Sequence, residues 1–215
     1  MPSAFYHFMG HYGPFGPCPK KHVIIKNMEI KTVVVGSIHT NCYIVSEENS
    51  KEAIIIDPGD EAEKIIAAAE GLKVKAVVLT HGHWDHVTAA PIVAKHFNAP
   101  LCIHKNDEAM MTYSNQIKAD RLLKAGDKFD IGHLSFVILH SPGHSAGCIC
   151  LYDGKKTLFS GDTLFRGTWG RTDLPTSSET DMEKSLKKLL SLPADVVVYP
   201  GHGKKTTIGE EKNLI

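Results

Sequence analysis

The sequence has neither an excess of charge of one sign nor a long apolar run. Its 215 residues include 24 basic and 24 acidic side chains, so the formal net charge is zero, and no domain-wide basic surface attracts nucleic acid or an anionic membrane. No apolar run reaches the roughly 18 residues of a transmembrane helix, and residues 1–22 lack the continuous apolar segment of a signal peptide. We therefore expect a cytoplasmic protein without nucleic-acid or membrane partners.

Cysteine is sparse, and its spacing forms no paired motif. The five cysteines are odd in number and contain no CxxC pair, which argues against a secreted disulfide framework. Cys148 and Cys150 stand in a strand-like run. There we expect two small buried side chains, with a redox or metal role as the alternative.

The length suits one domain with a tail. Residues 1–27 are rich in glycine, proline, histidine and aromatic side chains and have no periodicity. This composition predicts an N-terminal extension that is disordered or lies over the surface. His7, His11 and His22 could bind a metal ion, but their context favours a flexible tail. Residues 28–215 are expected to form the folded domain.

From Met28 onward, short apolar runs alternate with amphipathic segments. This pattern predicts two groups of strands with helices interleaved in each, an α+β arrangement of two packed sheets with helices outside. The predicted strands are IKTVVV, CYIV, AIIIDPGD, KVKAVVLT, PLCIH, HLSFVILH, CICLYD, KTLFSGD and ADVVVYPGHG. The predicted helices are EAEKIIAAAEGL, TAAPIVAKHFN (from about residue 87), KNDEAMMTY and ETDMEKSLKKLLSL. The segment TLFRGTWGRTDLPTSS is predicted to be a long loop.

Metal-ligand side chains are concentrated in THGHWDH, residues 80–86, directly after a predicted buried strand. In an extended segment residues two apart face the same way, so His81 and His83 can reach one metal ion together. Gly82 leaves the backbone free to turn between them. Asp85 and His86 follow the turn and are expected to face a second position.

Three further strands end in side chains of the same kind, His144 in SPGHSAG, Asp162 in FSGDT and His202 in YPGHG. Seven ligands exceed what one catalytic zinc ion takes from a protein, but they suit two metal ions that share a carboxylate. We assign His81, His83 and His144 to the first ion, and Asp85, His86 and His202 to the second, with Asp162 bridging. We expect two divalent ions, with zinc as the first choice, and the all-nitrogen-and-oxygen set suits zinc, iron and manganese alike.

The motifs THGHWDH, PGHSAG, SGDT and PGHG resemble those of the metallo-β-lactamase superfamily in type and order, from about Met28 to the C-terminus. The resemblance implies a four-layer αββα sandwich with the metal ions at one edge between the sheets. It also implies that Asp57, in IDPGD, does not bind a metal ion itself but orients a histidine that does.

Two longer segments, GDTLFRGTWGRTDLP and PGHGKKTTIGEEK, resemble the short glyoxalase II-type hydrolases. About a dozen residues follow His202, whereas full-length members carry a helical C-terminal domain that binds glutathione. The resemblance implies a metal-bridged hydroxide that attacks the thioester of an S-2-hydroxyacylglutathione. Asp85 and Asp162 would orient the hydroxide and act as catalytic residues.

A substrate that carries carboxylates calls for cations near the metal ions. Arg166 and Lys204 are therefore predicted to bind substrate, and Trp84 is predicted to form a wall of the pocket or to pack. Arg171, in GRTD, is predicted to pair with Asp173 or with a carbonyl group.

Alternative functions stay open at this stage. The persulfide dioxygenase branch resembles this chain in the segment Gly170 to Asp173 and uses one iron ion, at the equivalents of His81, His144 and Asp162. A lactone is a further possible substrate, because the same hydroxide can attack an ester. The last alternative is a metal-binding protein without catalysis.

Overall fold

The computed structural model describes residues 28–115 and 117–215. The predicted N-terminal extension, with His7, His11 and His22, lies outside the described residues. The strands are β1 (Met28–Val35), β2 (Thr40–Glu47), β3 (Glu52–Ile56), β4 (Lys73–Val78), β5 (Leu101–His104), β6 (Arg121–Leu123), β7 (Lys128–Ile131), β8 (Leu134–His140), β9 (Ile149–Tyr152), β10 (Thr157–Gly161), β11 (Leu164–Phe165), β12 (Thr168–Trp169), β13 (Val197–Pro200) and β14 (Thr206–Thr207). The helices are α1 (Ala62–Ala68), α2 (Trp84–Val87), α3 (Ala90–Phe97), α4 (Glu108–Asn115), α5 (Glu179–Leu190) and α6 (Ile208–Glu211).

Twelve of these strands form two six-stranded sheets. The first sheet has the order β1-β2-β3-β4-β5-β6, and the second has the order β14-β13-β10-β9-β8-β7. β3, β4, β5 and β6 run parallel to one another, as do β10 and β13, and the other pairs are antiparallel. In the described part of the chain, no helix has the length and apolarity needed to cross a membrane.

Three layers of apolar side chains hold the sheets and helices together. The middle layer joins the two sheets through side chains such as Ile54 and Val78 on one and Phe136 and Phe159 on the other. The outer face of the first sheet packs against α1 and α3, and that of the second packs against α5 and α6. The four-layer αββα sandwich is therefore confirmed.

The amphipathic helix α5 confirms its predicted apolar face. Met182, Leu186 and Leu189 are buried, and Leu190 is half-buried and packs against the same layer. The Ser178 hydroxyl accepts a hydrogen bond from the Asp181 amide and caps the first turn. Cys148 and Cys150 are both buried, as predicted.

The differences from prediction lie in short elements. Helical structure begins at Trp84 rather than near residue 87, because His83 is extended and its carbonyl accepts the first helical bond, from His86. β6, β7 and β14 were not predicted, since they lie at sheet edges and are too short for a clear alternating pattern. The predicted long loop contains the small β11–β12 hairpin, and α6 follows β14.

Candidate metal centre

The seven side chains that the sequence singles out lie together at the edge where the two sheets meet. β2 of the first sheet reaches the loop after β13 there, through a bridge between Thr40 and His202 and a hydrogen bond from the Asn41 amide to the Gly201 carbonyl. The positions that meet are His81 and His83 after β4, Asp85 and His86 on α2, His144 after β8, Asp162 after β10, and His202 after β13.

The donor atoms form three groups of three: two of them share no residue, and the third, His81, His86 and Asp162, joins these two. In each group, the donor atoms lie within 4.8 Å of one another. The first triad is His81, His83 and His144, and the second triad is Asp85, His86 and His202. The structure thus brings together the two sets that the sequence analysis assigned to two ions, while their role as ligands stays a prediction.

Asp162 lies between the triads. Its Oδ2 atom is 3.5 Å from Nε2 of His144, in the first triad, and 3.6 Å from Nε2 of His202, in the second. Its Oδ1 atom is 3.4 Å from Nε2 of His86. A carboxylate in this place can face two cations at once.

In the first triad, each histidine presents one nitrogen to the others. Nδ1 of His144 is 2.9 Å from the Arg171 carbonyl, which can only accept, so Nδ1 carries the proton and Nε2 faces inward. Nδ1 of His81 is 3.1 Å from the Thr80 hydroxyl. That hydroxyl donates to Asp57, so it accepts from Nδ1 and leaves Nε2 of His81 as a lone pair. His83 uses the opposite nitrogen, with Nδ1 2.9 Å from Nε2 of His144.

The second triad is oriented in the same way. Nδ1 of His86 is 2.9 Å from a carboxylate oxygen of Asp57, and Nδ1 of His202 is 3.2 Å from the Ile38 carbonyl. Both Nε2 atoms lie 3.2 Å from Oδ2 of Asp85. Metal-binding histidines typically donate their second N–H to a carboxylate or carbonyl, and this arrangement follows that rule.

Asp57 contacts both triads. Its carboxylate is buried and accepts hydrogen bonds from the Thr80 amide at 2.7 Å and the Thr80 hydroxyl at 2.6 Å, besides the contact with His86. It reaches His81 through the Thr80 hydroxyl and His86 directly. One carboxylate therefore fixes a ring nitrogen in each triad.

Two histidines of the first triad, His81 and His83, are uncharged. Burial lowers the pKa of His81 well below its ordinary value, and the neighbouring histidines lower it further. Burial, followed by the charge of His144, also lowers the pKa of His83. These imidazoles are therefore neutral at pH 7, which is the form that binds a metal ion.

The second triad is charged in character. Burial opposes the charged form of His86, but the carboxylates of Asp162 and Asp57 raise its pKa well above the ordinary value. Burial likewise opposes the charge on His202, and the hydrogen bond with Asp85 raises its pKa. Asp85 is half-buried, and this partial burial raises its pKa, but its hydrogen bonds with His202 and His86 hold the pKa well below the ordinary range.

The residues present fit a pair of metal ions. Among the described residues, His81 Nε2 and Asp162 Oδ1 are the two buried side-chain atoms without a hydrogen-bond partner. A buried polar atom without a partner is costly, and a cation would give each of these lone pairs one. Nitrogen and carboxylate donors suit zinc, iron and manganese alike.

The predicted substrate-binding side chains are exposed near the cluster. Trp84, between His83 and Asp85 in sequence, is 54% exposed. Lys204 is exposed two residues after His202, and Arg166 is exposed at the turn of the β11–β12 hairpin. Their contact with a substrate stays a prediction.

Arg171 pairs with Asp173 through two hydrogen bonds of 2.6 and 2.7 Å. Its carbonyl, as described above, accepts from His144. This pairing is the one that the sequence analysis predicted.

Two contacts of the cluster were not predicted from the sequence. The Thr40 hydroxyl donates to Asp85 at 3.1 Å, and no local signal marks it, because it joins β2 to α2, 45 residues further along the chain. Asp107 bonds to the loops of the first triad. It follows the predicted strand PLCIH closely, and this strand-end position is the signal that could have identified it.

The sequence profile of the metallo-beta-lactamase superfamily matches residues 35–202. The chain belongs to this superfamily of metal-dependent hydrolases. A hydroxyacylglutathione hydrolase of Haemophilus influenzae, GloC, is 36% identical over 203 residues, which cover 86% of this chain and 95% of that protein.

Two solved structures are similar over nearly the whole described chain. The BLEG-1 B3 metallo-beta-lactamase has a TM-score of 0.79 and 36% identity, and the match covers 85% of this chain and 96% of that one. TTHA1623 in a di-iron-bound form has a TM-score of 0.76 and 37% identity, with 86% of this chain and 98% of that one covered. The two structures differ from each other: the first is named a β-lactamase, and the second contains two iron ions.

Proposed function

We propose that this member of the metallo-β-lactamase superfamily is a dinuclear metallo-hydrolase that cleaves a thioester of the S-2-hydroxyacylglutathione type. The similarity to the Haemophilus influenzae hydroxyacylglutathione hydrolase, over most of both chains, supports the substrate class. The segments around Asp162 and His202, which resemble the short glyoxalase II-type hydrolases, support it further.

The position of Asp162 carries the dinuclear part of the proposal. Its Oδ2 atom lies at 3.5 and 3.6 Å from one histidine of each triad. The first ion would be held by His81, His83 and His144, and the second by Asp85, His86 and His202. Asp162 would bind both ions. Zinc and iron both suit these donors, and the similar structure that contains two irons supports iron as an alternative to zinc.

Divalent cations held by these residues would polarise a carbonyl group and lower the pKa of bound water. Hydrolysis adds a water oxygen to the thioester carbonyl carbon, breaks the C–S bond and releases a carboxylic acid and a thiol. The depressed pKa of Asp85 keeps it ionised at neutral pH, so it accepts a hydrogen bond from water rather than donating one. Asp162 is placed to do the same between the triads. A thiol is a good leaving group, so the chain needs no strong general acid.

The exposed side chains beside the cluster fit an anionic, partly apolar substrate. Lys204 and Arg166 would pair with the carboxylates of the thiol carrier. Trp84 would cover an apolar part of the substrate. The ring of Phe165, whose centroid is 6.2 Å from that of His202, lies next to Arg166 on the hairpin and would form the opposite side.

The test is the rate of S-D-lactoylglutathione hydrolysis by the metal-loaded chain, followed as loss of thioester absorbance, with the bound metal measured by elemental analysis. His83→Ala removes a first-triad side chain, and His133→Ala, in the exposed turn between β7 and β8, is the matched control. We expect two ions per chain and turnover that His83→Ala abolishes and His133→Ala retains.

Protein that holds two ions but does not cleave this thioester would refute the substrate. A β-lactam is then the second substrate to measure, because of the similarity to the B3 metallo-beta-lactamase, followed by a lactone. One iron per chain, with oxygen uptake on glutathione persulfide, would favour a mononuclear dioxygenase. Bound metal without turnover of any of these compounds would indicate a metal-binding protein without catalysis.

A further inference from the structure

Asp107 is a buried carboxylate outside the seven side chains of the cluster. It stands between β5 and α4, and its side chain is fully buried. Its Oδ2 atom accepts from the Gly82 amide at 3.0 Å and from the Ser145 hydroxyl at 2.5 Å, and its Oδ1 atom accepts from the Gly147 amide at 2.6 Å. These three donors come from two separate loops.

Both loops carry the first triad. Gly82 stands between His81 and His83, and Ser145 directly follows His144. A carboxylate that accepts from a main-chain amide in each loop fixes the distance between them. Charge-assisted hydrogen bonds of this kind are about twice as strong as those between neutral groups.

The packing around Asp107 is specific to these loops. A Cβ atom on Gly147 would lie 2.5 Å from the carboxylate carbon of Asp107, and one on Gly82 would lie 2.9 Å from the Asp107 carbonyl oxygen. Neither position therefore accepts a side chain without displacing its neighbours. The glycines of both loops allow the close approach on which the three hydrogen bonds depend.

Among the described contacts, no residue of the second triad or of the loop after β13 donates a hydrogen bond to Asp107. Its loop after β13 is held from β2, where the Asn41 side chain donates to the carbonyls of Pro200 and Gly203. Its α2 histidine is held by Asp57. The two triads thus have separate supports besides the shared Asp57 and Asp162.

We infer that Asp107 is a positioning residue for the first triad alone, and that it sets the affinity of that triad for its metal ion through the main chain at Gly82 and Gly147. This inference rests on the metal ions of the proposed function and not on the thioester substrate. Its measurable consequence is a site-selective loss of metal affinity when the carboxylate is changed.

Asp107→Asn keeps the shape but replaces one acceptor oxygen with an NH2 group. The Ser145 hydroxyl can rotate, but a main-chain amide can only donate, so either Gly82 or Gly147 then faces a donor. We expect the two loops to separate at that point, while α4 and β5 keep their places.

The experiment measures Zn²⁺ affinity by competition with a chromophoric chelator in two backgrounds of the full chain. His202→Ala leaves the first triad intact, and His83→Ala leaves the second. Adding Asp107→Asn should weaken Zn²⁺ binding about 10–100-fold in the His202→Ala background, the range typical of residues that orient metal ligands. It should leave affinity unchanged in the His83→Ala background. Equal weakening in both, or none in either, would overturn the inference.

Glu47→Gln is the matched control for a general loss of stability. Glu47 is also buried and accepts from the amides of Asn49 and Ser50, but it lies at the end of β2 opposite Thr40. It should keep wild-type Zn²⁺ affinity, whatever its effect on the melting temperature. A loss as large as that of Asp107→Asn would show that Asp107 acts only through global stability.

Ser145→Ala is a milder variant if Asp107→Asn does not fold, because it removes one of the three donors. It should give a smaller loss of affinity, again only in the His202→Ala background, and an equal loss in both backgrounds would overturn the inference. Wild-type protein that binds two Zn²⁺ ions without cleaving the thioester would refute the proposed substrate and leave the role of Asp107 standing. Wild-type protein that binds no Zn²⁺ would overturn both.

Discussion

The first and second triads lie side by side but are held by different means. The first has three imidazoles, and burial keeps His81 and His83 neutral. The second has two imidazoles that both contact the Asp85 carboxylate. Burial lowers the pKa of His86 and His202, but nearby carboxylates raise it above the ordinary value. A cation at the second triad therefore competes with the protons of His86 and His202, whereas at the first triad His81 and His83 are already neutral.

The supports of the triads differ as well. The first is oriented by a hydroxyl and a main-chain carbonyl, and its loops are joined by Asp107. The second is held by β2 of the first sheet: Asn41 donates to the loop of His202 in the second sheet, and Thr40 donates to Asp85 on α2. One cluster therefore contains two sites that respond separately to mutation, except where Asp57 or Asp162 serves both.

Asp57→Asn should give the largest effect, because it acts on both triads. Asn tolerates the left-handed backbone at this position, where φ is 51°, but its NH2 group would face either His86 or a donor of Thr80. We expect Zn²⁺ affinity to fall about 10–100-fold at each triad, and the free energy of unfolding to fall by about 1–3 kcal/mol. Chelator competition in the two single-triad backgrounds and denaturant unfolding measure these changes.

Asp153→Asn is the control for this variant. Asp153 accepts from three backbone amides in a surface turn, those of Lys155, Lys156 and Thr157, all at Oδ1. Asn can keep this acceptor, so the control removes one carboxylate charge in a different loop. It should retain both affinities. Selective loss at one triad in Asp57→Asn would contradict the view that Asp57 supports both.

The sequence predicted the sheets, the long helices and the seven side chains because each depends on local patterns. Buried strands such as AIIID and KVKAVVLT are continuous apolar runs, and the metal-ligand side chains follow strand ends directly. The supports were harder to predict, since Thr40 and Asn41 are 45 and 159 residues from their partners Asp85 and Pro200, and Asn41 reaches the opposite sheet. Such contacts follow from tertiary packing and leave no period or spacing in the sequence.

Asn41→Ala should give a smaller effect, confined to the second triad. It removes two hydrogen bonds of 3.0 Å to the carbonyls of Pro200 and Gly203, which flank His202. We expect a loss of about 1–3 kcal/mol in unfolding free energy, because two hydrogen bonds of about 0.5–1.5 kcal/mol each are lost, while the Tyr43 hydroxyl still donates to the Pro200 carbonyl. We also expect weaker Zn²⁺ binding in the His83→Ala background. An equal loss of affinity in the His202→Ala background would show that the triads are not supported separately.

His104→Phe should give the smallest effect, a change in how the unfolding free energy depends on pH. This variant tests whether the uncharged character of His81 and His83 extends to His104. His104 is buried and stacks on His140, with ring centroids 4.2 Å apart, and His140 donates to the Ala146 carbonyl in the loop of His144. Burial, then the charge of His140, lowers the pKa of His104 to about 4, while Asp107 opposes this shift and Lys105 adds to it.

The sign of the pH effect follows from this depressed pKa. Between about pH 6.5, the ordinary value of histidine, and pH 4, the unfolded chain binds a proton at His104 that the folded chain does not. The stability of the wild-type protein therefore falls as the pH falls through this window. Phe keeps an aromatic ring against His140 but does not titrate, so the unfolding free energy of metal-free His104→Phe should fall less steeply than that of the wild type. Parallel curves for the two proteins, from denaturant unfolding at pH 7, 6, 5 and 4, would show that His104 is protonated alike in the folded and unfolded states. The uncharged character of His81 and His83 would then not extend to His104.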